Sequence, residues 1–209
     1  MKSILLAAGL SLAGTLTSAE TVIDTISGQN SGFYCLGVDT GCGQTFGQSF
    51  TVGADTRLDS FSFLTAPVTG GAIDVVLRLY EWSGSSRIGA ELYASAATAL
   101  SNLDWDETTW NVGVTLTSGS RYMAYLDASG LGNPTTSSTG FSYISGATYD
   151  GGGFFWERTA GDESWNATSA DSEFRAVFNA ATVPLPATLP LLAGAIGGAV
   201  ALRRRRKPA

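Results

Sequence analysis

Two short stretches hold the side chains best suited to chemistry. Asp104, Asp106 and Glu107 stand together in LDWDE, and Asp162 and Glu163 lie between Trp156 and Trp165 in GGGFFWERTAGDESW. Two facing carboxylates suffice to hydrolyse a glycosidic bond, one donating a proton while the other acts as base or nucleophile. Indole faces also stack on sugar rings while nearby carboxylates accept hydrogen bonds from hydroxyls, which makes Trp156, Asp162, Glu163 and Trp165 a candidate glycan-binding loop. Each stretch also has a plainer reading. Eighteen acids form close pairs by chance in a domain of this size, and large aromatics usually fill a core. No residue is therefore assigned a catalytic role. If a glycan binds, Trp156, which follows a glycine-rich loop, is the expected contact rather than Trp82, which ends a regular strand.

The sequence contains no histidine. That removes the Ser-His-Asp and Cys-His nucleophile systems, the HExxH zinc proteases and most transition-metal sites. No G-x-S-x-G elbow, G-x-G-x-x-G loop or P-loop occurs, and no acidic run has EF-hand spacing. Neither a metal nor a cofactor is expected. The two cysteines, Cys35 and Cys42, flank six residues in FYCLGVDTGCG. Without histidine they make a poor zinc site, so they are expected to form a disulfide that staples the loop and contributes about 2.5 kcal/mol. Asn166-Ala-Thr168 matches a glycosylation sequon, a pattern too short to weigh.

These residues must be positioned by strands, because the dominant signal is alternation with period two. In Ala72 to Trp82, Ile73, Val75, Leu77 and Leu79 share one face while Asp74, Arg78 and Tyr80 take the other. Thr109 to Leu116 alternates in the same way, and so does Ser172 to Asn179, which sets Phe174, Ala176 and Phe178 inside and Glu173, Arg175 and Val177 outside. Shorter strands are expected over Thr21 to Thr25, Gln44 to Val52, Arg57 to Leu64, Arg87 to Tyr93, Arg121 to Asp127, Phe141 to Ser145 and Gly153 to Glu157. Glycine-rich turns punctuate them. About ten short strands with no helical stripe predict an all-β, antiparallel β-sandwich, jelly-roll-like in type.

Both ends read as addresses. Residues 1–19 carry one charge at Lys2, an apolar run and small residues before Glu20, the pattern of a signal peptide. Residues 20–182 form the exported domain, in which six arginines face eighteen acids, a net charge of −12. Such a surface repels nucleic acid and anionic lipid. Beyond it come Val183, Pro184, Leu185, Pro186 and Ala187, sixteen uncharged residues from 187 to 202, and the basic cluster Arg203, Arg204, Arg205, Arg206 and Lys207. Sixteen residues make about 24 Å of helix, short for a hydrocarbon core near 30 Å, and the basic cluster belongs on the cytoplasmic side, where it stops transfer.

Motif, apolar run and basic cluster in that order resemble the VPLPA variant of the PEP-CTERM sorting signals of Gram-negative bacteria. It differs from the commoner Pro-Glu-Pro form in lacking the acidic residue. The resemblance implies recognition by an exosortase-type membrane protease, transient anchoring in the inner membrane with the domain outside, and association with extracellular polysaccharide. More loosely, GQSFTVGADTRLDSFSFL and LRLYEWSGSSRIGAELY are similar to ectodomains that carry such tails, mostly β-sandwiches. Two functions are therefore expected: a non-catalytic surface or matrix protein that interacts with polysaccharide, or else a glycan-active hydrolase with a carboxylate pair.

Overall fold

A computed structural model describes residues 20–27, 32–39, 41–146, 149–161 and 163–179. The expected signal peptide at 1–19, the 183–187 motif, the apolar run at 187–202, the basic cluster and Asp162 lie outside these residues. Among the described residues the structure is all-β, two antiparallel sheets packed face to face. No helix among them is long and apolar enough to cross a membrane.

Sheet I holds β1 (Thr21–Asp24), β2 (Gly32–Gly37), β4 (Arg57–Thr65), β8 (Asp106–Thr115), β10 (Ser138–Ser145), β13 (Ala170–Ser172) and β14 (Phe174–Asn179). Sheet II holds β3 (Thr45–Thr51), β5 (Ile73–Trp82), β6 (Arg87–Ala94), β7 (Thr98–Leu100), β9 (Arg121–Asp127), β11 (Phe154–Glu157) and β12 (Asn166–Ala167). In sheet II the order runs β12, β11, β3, β9, β5, β6, with β7 pairing β5.

Strand alternation supplies the core. Ile73, Val75, Leu77 and Leu79 of β5 and Tyr122, Ala124 and Leu126 of β9 face inward, where they meet Phe61, Phe63, Phe141, Phe174 and Phe178 of sheet I. Phenylalanines stack through the middle, Phe46 on Phe141 at 5.7 Å and Phe61 on Phe174 at 5.5 Å. Each ring buried in this way contributes about 1.5–3 kcal/mol. The expected inward set of the last strand, Phe174, Ala176 and Phe178, is buried. Glu173 is not on the wet face, and it is buried completely. The strand is interrupted there between β13 and β14, and the turned-in carboxylate accepts hydrogen bonds from Ser27 N, Ser27 Oγ and Ser142 Oγ.

Cys35 and Cys42 form a disulfide, as the sequence led us to expect. It pins the end of β2 to the turn that leads into β3, where Gly43 N donates to Cys35 O at 3.0 Å.

Candidate functional site

The outer face of sheet II carries the best-formed site. Cross-strand register aligns Glu157, Thr45 and Asp127 in one row across β11, β3 and β9. The next row sets Phe155, Gly47, Tyr125 and Arg78 side by side across β11, β3, β9 and β5. Arg87 reaches over from the edge strand β6. Between these side chains lies a cavity of about 300 Å³, walled on one side by Ala160 and Gly161. That volume is at the lower end of the range for small-molecule sites.

Its polar groups are held in place by one another. Arg78 donates from Nε to Asp127 Oδ2 at 2.9 Å and from Nη1 to Glu91 Oε1 at 2.8 Å. Asp127 Oδ1 accepts Ser129 N at 2.9 Å and Ser129 Oγ at 2.6 Å. Thr45 Oγ1 donates to Glu157 Oε2 at 3.3 Å, and Glu157 is wholly buried. Arg87 donates from Nη1 to the Tyr125 hydroxyl at 3.1 Å and sits over the Tyr80 ring, 5.5 Å from its centre. Burial opposes the charge on Arg78, but the hydrogen bonds it donates to Glu91 and Asp127, with their negative charges, outweigh it and raise the guanidinium above its ordinary value. Burial likewise pushes the Tyr125 phenol up, against the pull of Arg87.

An aromatic wedge backs the cavity. Trp165 packs edge-on against Tyr125 at 5.2 Å and against Trp82 at 5.5 Å, and Trp82 meets Phe155 at 5.1 Å. Gly47 makes room for it: a Cβ there would fall 2.4 Å from Tyr125 Cβ, far inside contact distance.

The candidate glycan-binding loop is divided by this arrangement. Trp165 joins the wedge on the outer face, whereas Trp156 turns inward and stacks on Phe46 at 6.1 Å. The reason is alternation along β11: with Phe155 outside, Trp156 must point to the core side. Trp156 lines a small recess of about 80 Å³ beside the disulfide, too small for a sugar ring. Trp82 belongs to the wedge but is itself buried, and Trp156 is partly buried against the main core, so placement gives Trp82 no advantage over Trp156 as a contact. Glu163 lies at the rim, largely exposed, 3.3 Å from Arg87 Nη2, and has a positive φ of 56°.

The LDWDE acids are not drawn together over a cavity. Asp104 Oδ1 accepts Trp105 N at 2.8 Å, and Glu107 accepts both contacts of Arg175 Nη1, at 2.8 and 2.9 Å, on sheet I. Trp105 meets the exposed ring of Phe33 at 6.2 Å. Among the described residues no group of three or more cysteines or acids could hold a metal ion.

Arg78, Tyr80, Arg87, Tyr125, Asp127 and Glu157 were not singled out in the sequence. Period two does put Arg78 and Tyr80 on a wet face. Only register, which no single strand encodes, brings the six together.

Fold and site together define a two-sheet, all-β protein with a polar cavity on one outer face. No family model and no curated protein matches the sequence. Among solved structures, the chain is similar to the cysteine protease and lectin-like domains of Cwp84, a surface layer associated protein of Clostridium difficile, at a TM-score of 0.48 and 10% identity. The match covers 78% of this chain and 36% of that one. The chain thus spans about a third of that protein's length, and a likeness this distant carries no argument about activity.

Proposed function

We propose that the chain is an exported cell-surface or extracellular-matrix protein whose non-catalytic, jelly-roll-like sandwich binds extracellular polysaccharide through the outer face of sheet II. The observation that supports this best is the cavity, where guanidinium donors, carboxylate acceptors and phenol and alcohol hydroxyls converge on one small volume. Polyhydroxyl ligands need donors and acceptors in comparable number, held rigidly. The disulfide suits an oxidising compartment outside the cytoplasm. On this reading residues 1–19 direct export. The segment 187–202 is held by the inner membrane while Arg203 to Lys207 stop transfer, and an exosortase-type protease acts at the 183–187 motif. Neither a cofactor nor nucleic acid takes part.

A hydrolase is the second reading, and one observation favours it: Asp127 and Glu157 line the same cavity. Against it, both oxygens of Asp127 are already engaged by Arg78 and Ser129, leaving that carboxylate a structural acceptor rather than a free acid or base. The test is to incubate the full chain, in mild detergent, with immobilised dextran, mannan and galactan, scoring retention and release of reducing ends together. Retention on at least one polymer without release is expected. Release that Glu157→Gln abolishes would overturn the non-catalytic reading, and retention on none would overturn the binding one.

A further inference from the structure

We infer that the cavity takes one uncharged sugar residue and discriminates against acidic sugars. This rests on the polysaccharide reading and narrows it to a ligand class.

The charge balance comes first. Arg78 and Arg87 look like an anion site in isolation, yet each is already matched. Arg78 lies between Asp127 and Glu91, and Arg87 holds Glu163 while Glu157 lines the same cavity. A uronate or sulfate would have to displace a carboxylate already in place, inside a domain with six arginines and eighteen acids. A neutral sugar asks for no such exchange. Its hydroxyls can donate to the Asp127 carboxylate and accept from the remaining N–H groups of the two guanidiniums.

Size and shape come second. A cavity of about 300 Å³ holds the volume of roughly ten waters, more than one six-membered sugar ring with its hydroxyls needs and less than two rings need. Its lining comes from one stretch across the strands, not along them: Thr45, Asp127 and Glu157 form one row, Arg78 and Tyr125 the next. Ala160 and Gly161 stand at one side and Arg87 reaches in from β6. A pocket of this extent seats one sugar residue.

The test uses the full chain bound to whichever of dextran, mannan or galactan retains it. Methyl glucoside, methyl mannoside and methyl galactoside are offered as competitors, with glucuronate and galacturonate beside them. At least one neutral glycoside is expected to compete at least tenfold better than either uronate. Arg87→Gln should weaken binding at least tenfold. Ala160→Phe should do the same by filling the cavity, while leaving every polar partner in place. Uronates that compete as well as neutral sugars would overturn the inference and leave the polysaccharide reading standing. Binding untouched by both variants would move the site elsewhere, Phe33 and Trp105 on sheet I being the region to probe with Trp105→Ala. Retention on no polymer would remove the underlying reading itself.

Discussion

At the scale of single residues, Tyr125 joins stability to the site. Its ring is almost fully buried between the Tyr80 ring and Trp165, and its hydroxyl accepts from Arg87. Burial, the larger effect, raises the phenol above its ordinary 10.0, and the hydrogen bond and charge of Arg87 offset only part of this. The folded state therefore favours the neutral phenol. The unfolded chain ionises from about pH 10, so the stabilisation is complete below that pH and is lost as the pH rises toward the higher folded value. Denaturant midpoints measured across the alkaline range are expected to fall more steeply for the native sequence than for Tyr125→Phe. Identical slopes would mean that this phenol is not set apart. Trp82 and Trp165 show what the wedge costs: the Nε1 of each is buried with no acceptor among the described residues, about 1–3 kcal/mol apiece, so the wedge must recover this through packing.

At the scale of elements, β3 decides whether the outer face of sheet II can exist. Gly47 sits opposite Tyr125, and adding a methyl group there drives its Cβ into both the Tyr125 side chain and the carbonyl of Ala124, 2.5 Å away. Gly47→Ala should cost about 1–3 kcal/mol and lower polysaccharide binding at least tenfold, because the strand pair must part and Tyr125 must move. Thermal unfolding and retention on the polymer check the two effects separately. Much of this level was legible from the residues. Alternation located β5, β8 and β14, and seven shorter strands were placed within a few positions, because a half-buried strand writes its period into its sequence. It missed β2, whose GFYCLG begins and ends in glycine. It also missed β7, β12 and β13, each too short to show a period. Glu173 was misplaced for a related reason: a strand interruption resets which side faces in. The site was legible only in part. Arg78 and Tyr80 lay on the wet face of β5, but the row of Glu157, Thr45 and Asp127 depends on how β11, β3 and β9 align, a relation among distant segments.

At the scale of the whole molecule, the sandwich presents two unlike outer faces. Sheet II offers the charged cavity and its aromatic backing. Sheet I offers salt-bridged Arg175 and the Phe33–Trp105 pair. The claim that sheet II does the binding can be tested directly, since the protein's seven tyrosines sample the outer face of sheet II and the main core. With fluorotyrosine incorporated throughout the full chain, each ring can be followed by NMR as dextran, mannan or galactan is added. Tyr80 and Tyr125 are expected to shift in proportion to bound polymer, while Tyr34, Tyr143 and Tyr149, which pack against the main core, stay in place. Polymer that binds while Tyr80 and Tyr125 remain unmoved would contradict the assignment of function to this face.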